Sequence, residues 1–353
     1  MSLSLQSVAS IGAKYNLTMQ ETAEKLASFF HQIGVDFIYD ITIARHIALA
    51  ETEKEFSEKF QNSQFPVLYS VCPFWVCYVE KTHGELLVPF LSKVKSPQQI
   101  MGIIVKQFFK NNNSSNVYHV TIMPCYDKKL EATRNELFNE KEVDCVLTPI
   151  EIEVMLNREG VVLSQLTSRK LDFIIPEFNS DKLTSHLGSG SGGYTENLFR
   201  FMAAKYFKKN FEENKKLEYK TLRNKDFIEL RLDNENGETL LSFAVVNGFR
   251  NIQTLVQKIK RKTCNYHYIE VMACPSGCLN GGAQLRSDDK SENLFDKVEQ
   301  LYKSLELTKL TLDYENEELD QIYDKCFTRE TLTKLHTQFK PVEKTLNLIN
   351  VNW

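Results

Sequence analysis

Short apolar runs alternate with longer amphipathic stretches along most of this chain. A capping box at Thr18 and Glu21 is followed by apolar residues at helical spacing, which predicts a helix that ends near Gly34. A strand over residues 35–39 and a helix over about 40–60 follow. This order of helices and strands is typical of an α/β protein with parallel sheets.

The same alternation continues to about residue 280. Further strands are predicted at residues 67–71, 118–123, 143–147, 219–232, 240–246 and 267–272, and further helices at about 97–109, 148–160, 193–208, 251–260 and from 278. Residues 162–190 have the weakest pattern, which indicates a crossover between two lobes. We therefore expect one lobe over 1–165, a second over 166–315, and a C-terminal helical segment and tail over 316–353.

Three of the predicted strands run into loops that carry cysteine. Cys72 follows the strand at 67–71, Cys125 follows 118–123, and Cys274 and Cys278 follow 267–272. Ligand sites in open α/β sheets lie at the carboxyl ends of strands, so we expect these four thiols to meet. Four thiolates predict a soft-metal site, most consistent with an iron-sulfur cluster. Zinc is the alternative, although structural zinc usually takes its thiolates from two close cysteine pairs.

The residues around these cysteines add candidate roles. Lys128 and Glu131 follow Cys125 at +3 and +6, so the lysine could reach an anionic ligand at the metal while the carboxylate orients it. The alternative is a surface Lys128–Lys129 pair at a helix start. For Cys274 and Cys278, the alternative is a buried or reactive thiol pair.

Two methionines and a glycine-rich segment are also expected near the metal. Met123 and Met272 close the strands that precede Cys125 and Cys274, so we expect both beside the metal. Residues 188–194, GSGSGGY, lack the lysine of a phosphate-binding loop, and we interpret them as a tight turn that passes near the buried site.

Composition narrows the class of protein. The 353 residues are 42% hydrophobic and 25% charged, which excludes disorder of the whole chain. A net charge of -3 without a long basic block argues against direct binding of nucleic acid. No secretory leader and no apolar run of about 18 residues is evident, so we expect a soluble intracellular protein without membrane contact, whose eight cysteines stay reduced.

The motifs resemble a known family. The three cysteine loops and the strings CYVEKTHG at 77–84, SPQQIMG at 96–102 and LRNKDF at 222–227 are similar to the eukaryotic branch of the iron-only hydrogenase-like family. This branch comprises the cytosolic iron-sulfur assembly factors, also called nuclear prelamin A recognition factor-like proteins. The resemblance extends over residues 4–353.

The resemblance implies both a fold and a cofactor. It implies an α/β hydrogenase-like core of two lobes, each with a parallel or mixed sheet flanked by helices. One [4Fe-4S] cluster would lie between the lobes on Cys72, Cys125, Cys274 and Cys278. In true hydrogenases, the counterpart of Cys278 also bridges to a two-iron subsite, and the counterpart of Lys128 contacts its cyanide.

The resemblance further implies a non-enzymatic role in cytosolic iron-sulfur protein assembly. Family members act with a targeting complex that inserts clusters into cytosolic and nuclear apoproteins, which implies a cytoplasmic location with the nucleus as a second compartment. Hydrogenases often carry a proton-relay cysteine just before the first ligand, where this chain has Val71, so hydrogenase activity is not expected. The alternatives are a redox or hydrogenase-type enzyme and a prelamin-binding scaffold with an empty site. The prelamin-binding branch loses several cysteine-loop residues, whereas all four cysteines are present here.

The resemblance also leads to expectations about the two ends of the chain. Family members commonly end in an aromatic residue that docks on the targeting complex, and Trp353 occupies that position. The alternative is a tryptophan that packs on its own domain. Members also carry an N-terminal domain whose four further cysteines hold a second cluster, and this chain is expected to begin beyond it.

Overall fold

The protein is described by a computed structural model over residues 1–111, 117–134, 141–175, 182–212, 217–287, 289, 293–308 and 317–342. Its strands are β1 Ser2–Leu3, β2 Tyr39–Asp40, β3 Val67–Tyr69, β4 Val120–Ile122, β5 Cys145–Leu147, β6 Thr184–Ser185, β7 Lys220–Thr221, β8 Phe227–Asp233, β9 Thr239–Asn247, β10 Tyr268–Met272 and β11 Glu306–Leu307. Its helices are α1 Leu5–Tyr15, α2 Met19–Gln32, α3 Thr42–Gln61, α4 Pro73–Thr82, α5 Gly84–Leu87, α6 Pro97–Asn111, α7 Asp127–Ala132, α8 Pro149–Arg158, α9 Tyr194–Phe207, α10 Phe249–Lys260, α11 Leu294–Lys303, α12 Glu317–Cys326 and α13 Arg329–Leu332.

Two sheets organise the molecule. The first has the order β2-β1-β4-β5 and all of its pairings are parallel. The second has the order β3-β10-β9-β8-β7, in which β3, β10 and β9 are parallel and β8 and β7 are antiparallel to their neighbours. Strands β6 and β11 form a separate parallel pair. The predicted α/β class with parallel and mixed sheets is confirmed.

Strand β3 links the two parts of the sequence. It comes from the first part of the chain, yet it lies at the edge of the second sheet, with Val67 opposite Tyr268 of β10. Neighbours along the chain, β2 and β4, both belong to the first sheet. The division at residue 165 therefore does not separate the strands of one sheet from those of the other.

Helices between the sheets bury most of the shared core. Apolar residues of α3, α6 and α9 pack together with residues of β9 and β10 in one hydrophobic cluster. A second cluster joins the first sheet to α1, α2, α8 and α11, and a third covers the outer face of the second sheet with α4 and α10. The space between the sheets is thus filled by packed side chains, which holds the strand ends in fixed positions.

Several predicted elements differ from those observed. Helix α1 was not predicted, and the strand expected at residues 35–39 is only the pair Tyr39–Asp40. The single strand expected at 219–232 is two strands, β7 and β8. The helix expected from Cys278 is a short 3-10 helix, Gly277–Asn280. No helix in the described part of the chain is long and apolar enough to span a membrane.

Candidate metal centre

Three parallel strands deliver four cysteines to the region between the sheets. Cys72 follows β3 and lies directly before α4, whereas Cys125 follows β4 of the first sheet. Cys274 and Cys278 follow β10, which pairs with β3, and Cys278 lies in the short 3-10 helix. The expected arrangement of three cysteine loops after parallel strands is therefore present.

Main-chain and serine hydrogen bonds hold the loops together. The Ser70 hydroxyl donates to the Val271 carbonyl at 2.5 Å and accepts from the Cys72 N–H at 3.0 Å, which joins the loops after β3 and β10. The Ala283 N–H donates to the Pro124 carbonyl at 3.1 Å, which joins the Cys125 loop to the loop of Cys274 and Cys278. All three loops are thus fixed relative to one another.

The four thiols lie within electrostatic reach of one another. Burial raises the pKa of Cys72 to about 11. Burial, and then the negative charge of Cys72, raises the pKa of Cys125 to about 12. The pKa of Cys278 is raised by burial and then by the three other thiolates. Deprotonating all four thiols in this region therefore requires a compensating positive charge.

The remaining cysteines lie elsewhere. Cys326 is buried in the core between the sheets, Cys264 packs on the outer core of the second sheet, and Cys145 lies in β5. Cys77 is half-buried on α4, one turn beyond Cys72.

Four cysteine thiols are a donor set that suits an iron-sulfur cluster, and zinc also binds such a set. Among the residues that the structure describes, no three His, Cys, Asp or Glu side chains are grouped closely enough to hold a single metal ion. One zinc ion would need all of its sulfurs about 2.3 Å from a single centre. In an iron-sulfur cluster, separate thiolates bind separate irons.

Lys128 and Glu131 form a buried ion pair beside the Cys125 loop. The Lys128 ammonium lies 2.8 Å from a Glu131 carboxylate oxygen, and the two residues are only 7% and 8% exposed. Ser96 and Gln98 donate to the same carboxylate at 2.8 and 2.9 Å. The interpretation of Lys128 as part of a surface pair is therefore wrong. Lys129 is half-buried, and its ammonium lies 2.9 Å from a Glu151 carboxylate oxygen.

Met123 and Met272 close strands β4 and β10 from inside the core. Both are buried in the hydrophobic cluster between the sheets, against which Cys72 and Cys278 also pack. Both methionines therefore belong to the core that Cys72 and Cys278 contact.

The glycine-rich segment passes against the third loop, as expected. The Ser191 hydroxyl accepts a hydrogen bond of 3.0 Å from the Cys278 N–H. A Cβ on Gly277 would lie 2.2 Å from that hydroxyl, and Gly277 has a positive φ of 73°. The approach therefore needs glycine at this position.

Sequence reasoning missed Ser70 and Ser191 as site residues. Their only signal is position, since Ser70 lies two residues before Cys72 and Ser191 lies in the glycine-rich turn. Trp353, the predicted docking residue, lies outside the described residues.

A family model described as the iron-only hydrogenase large subunit, C-terminal domain, matches residues 1–282. The chain belongs to the iron-only hydrogenase family. The family predicted from the cysteine loops is thereby confirmed.

Curated relatives of this family member are named as assembly factors. "Cytosolic iron-sulfur assembly component 3" of Mus musculus is 46% identical over 368 residues, which covers 100% of this chain and 76% of the relative. "Cytosolic Fe-S cluster assembly factor narfl" of Xenopus tropicalis is 43% identical over 370 residues with the same coverage. The factor of the same name in Danio rerio is 43% identical, and 89% of it is covered. The chain thus falls in the branch of the family whose relatives are named for cytosolic iron-sulfur assembly.

Solved hydrogenases share the fold of this family member. An apo [FeFe]-hydrogenase HydA1 from Chlamydomonas reinhardtii superimposes with a TM-score of 0.80 at 22% identity, covering 96% of this chain and 93% of the hydrogenase. A HydA structure described in terms of stepwise H-cluster assembly gives a TM-score of 0.78 at 23% identity. The hydrogenase-like fold is therefore confirmed.

Proposed function

We propose that this protein is an iron-sulfur cluster-binding component of cytosolic iron-sulfur protein assembly. Cys72, Cys125, Cys274 and Cys278 would hold one [4Fe-4S] cluster, which would act in the delivery of clusters to cytosolic and nuclear apoproteins. The observation that carries the proposal is the meeting of four thiols from three strand ends. The names of the relatives support the assembly role.

Neighbouring side chains would support such a cluster. Buried Met123 and Met272 would exclude water from its core side, because both belong to the packed cluster between the sheets. Lys128 would supply a positive charge near anionic sulfur, held in position by Glu131 and Ser96. We also propose two lobes, over residues 1–165 and 166–315, and a C-terminal segment over 316–353, with strand β3 of the first lobe completing the sheet of the second.

A redox or hydrogenase-type enzyme is the alternative. Val71 is buried immediately before Cys72 and its side chain has no proton to transfer, which argues against hydrogen chemistry. A prelamin-binding scaffold with an empty site is the other alternative, and the retained set of four thiols argues against it. Hydrogen evolution with a low-potential electron donor would support the enzyme as the function of this protein.

The first experiment measures iron, acid-labile sulfide and zinc in protein purified without oxygen. We expect about four irons and four sulfides per chain, lost in a Cys274→Ala, Cys278→Ala double variant. The matched control is a Cys145→Ala, Cys264→Ala double variant, which also removes two thiols and should keep its iron. Stoichiometric zinc, or a folded protein without metal, would contradict the proposed cluster. The scaffold with an empty site would then be the remaining hypothesis.

Partner capture tests the assembly role separately. We propose that Trp353 docks on proteins of the cytosolic targeting complex, as the resemblance implies. Deletion of Trp353 should weaken capture of those proteins while iron content stays unchanged. Unchanged capture would reject the docking role without affecting the cluster.

A further inference from the structure

Arg45 is a buried cation with neutral partners. It lies in the first turns of α3 and is only 2% exposed. Its guanidinium donates to the Tyr302 hydroxyl at 2.8 Å, the Ser185 hydroxyl at 3.4 Å and the Gln6 side-chain carbonyl at 3.5 Å. Among the described residues, no carboxylate forms an ion pair with it. Arginine is almost never fully buried without an anionic partner, because an isolated buried charge is costly.

The ionisable groups around Arg45 do not neutralise it. His46 and His186 contact each other at 3.3 Å, and burial lowers the pKa of His46 to about 4, so this imidazole is neutral near pH 7. Burial also lowers the pKa of His186. The buried Glu270 carboxylate accepts from Thr195 at 2.8 and 2.9 Å and from Ser189 at 3.1 Å, not from Arg45. None of these groups forms an ion pair with Arg45.

Two glutamines connect Arg45 to the third cysteine loop. Gln6, which accepts from Arg45, donates to the Gly190 carbonyl at 2.8 Å, and Gly190 precedes Ser191, the acceptor for the Cys278 N–H. Gln284 donates to the Gln6 carbonyl at 2.9 Å and to the Cys278 carbonyl at 3.4 Å. Burial raises the pKa of the nearby Tyr194 phenol, a hydrogen bond with Tyr69 and the charge of Arg45 lower it, and the charges of Glu270 and Cys278 raise it. Arg45 is thus joined to that loop by hydrogen bonds through Gln6 and Gln284.

We propose that Arg45 is a second buried counter-charge of the iron-sulfur cluster, in addition to Lys128. This inference rests on the proposed function. Four thiolates bring four negative charges, of which the iron-sulfide core offsets about two, so the bound cluster is anionic. A fixed guanidinium in the same low-dielectric interior stabilises that anion, and it stabilises the reduced form, which carries one more negative charge, to a greater degree.

The two possible roles of Arg45, a counter-charge and a purely structural residue, predict opposite changes in the stability of the cluster-free protein when Arg45 is replaced. Without the cluster, replacing an unpaired buried charge by a hydrophobic side chain of similar size removes the cost of burying that charge and should be neutral or stabilising. With the cluster bound, the same replacement removes its counter-ion and destabilises. If Arg45 mainly joins Tyr302, Ser185 and Gln6 by hydrogen bonds, its replacement should instead destabilise both the cluster-bound and the cluster-free protein.

The test compares wild type with Arg45→Met and Arg45→Lys after anaerobic reconstitution. The midpoint potential of the cluster is measured by redox titration followed by electron paramagnetic resonance, and thermal unfolding is measured with and without cluster. We expect Arg45→Met to lower the potential by about 59 mV or more, the one-electron equivalent of a tenfold change in the ratio of reduced to oxidised cluster. Its cluster-free form should unfold at the wild-type temperature or higher, and Arg45→Lys should retain most of the wild-type potential.

Arg200→Met is the control, because Arg200 is also poorly exposed but pairs with Glu196 at 2.7 Å. It should destabilise both forms and leave the potential unchanged. If Arg45→Met folds without cluster but retains none, the counter-charge is supported. A full cluster at the wild-type potential, or an Arg45→Met protein that fails to fold without cluster, would overturn it. A wild-type protein that binds no iron would instead reject the proposed function itself.

Discussion

The Ala283 N–H donates to the Pro124 carbonyl at 3.1 Å, which joins a loop of the first sheet to a loop of the second. Pro124 precedes Cys125, and Ala283 follows the turn that carries Cys274 and Cys278. A Cβ on Gly281 would lie 2.4 Å from that same carbonyl oxygen. The hydrogen bond that joins the two sheets beside the cysteine loops therefore requires glycine at position 281.

Gly281→Ala should separate these two loops. The added methyl group would collide with the Pro124 main chain, which is not a flexible side chain, so we expect a loss of about 1–3 kcal/mol in the free energy of unfolding. Iron content after reconstitution should also fall. Gly282→Ala is a matched control, because a Cβ there meets nothing within 4 Å. Equal behaviour of the two variants would show that the contact is unimportant.

Ser191→Ala should weaken the support of the third loop. The variant leaves the Cys278 N–H without its acceptor, which costs about 1–3 kcal/mol when the amide is buried. We expect lower stability in denaturant and faster loss of iron to a chelator. Ser304→Ala, which removes an exposed hydroxyl that donates to Leu301, should change neither quantity. A wild-type rate of iron loss in Ser191→Ala would contradict the role of this bond.

Lys128→Met and Glu131→Gln should each be strongly destabilising. Each variant leaves one buried charge without its partner, at a cost of about 3–5 kcal/mol. The double variant should lose much less than the sum, and urea unfolding of all four proteins measures the coupling. The exposed Glu299–Lys303 pair, at 3.0 Å, is the control, for which a cost below about 1 kcal/mol is expected. Additive losses at Lys128 and Glu131 would show that the two charges act independently.

Buried histidines should make the cluster-free protein sensitive to acid. Burial lowers the pKa of His46 from 6.5 to about 4 and that of His119 to about 3. Below pH 6.5 the unfolded chain binds protons that the folded protein does not, so stability falls towards pH 4, by up to about 1.4 kcal/mol per pH unit for each such histidine.

His46→Asn should reduce this dependence, because asparagine does not titrate. Urea unfolding of the cluster-free variant between pH 7 and pH 4 should give a shallower slope than wild type by roughly the contribution of one histidine. Parallel slopes for the two proteins would indicate that His46 is already protonated in the folded state, or that another group governs the acid response.

The strands that precede the cysteine loops could be predicted from the pattern of the sequence. Strands β3, β4 and β10 are short apolar runs followed by Pro or Gly, and such runs are recognisable because parallel strands are buried on both faces. Their order in the sheets was not readable, since β3 pairs with β10 and not with a strand close to it in sequence. The pairing depends on packing between distant parts of the chain.

Other features lack a local signal. Helix α1 was missed because nine of its eleven residues are buried, so the usual polar face is absent. Arg45 looks like an ordinary helical arginine in the sequence, and its burial depends on Tyr302 and Ser185 from distant segments. The Ser191–Cys278 contact likewise joins residues far apart in sequence.

The pairing of β3 with β10 also affects how the protein can be made. The Ser70 hydroxyl meets the Val271 carbonyl 201 residues further along the chain. At about 5–20 residues per second, a ribosome needs roughly 10–40 seconds to synthesise that interval. During this time the Cys72 thiol of the nascent chain has emerged, but the loop with Cys274 and Cys278, two of its three proposed partners, does not yet exist. Insertion of the proposed cluster would therefore follow synthesis of the third cysteine loop, and the early thiols would need a reducing compartment until then.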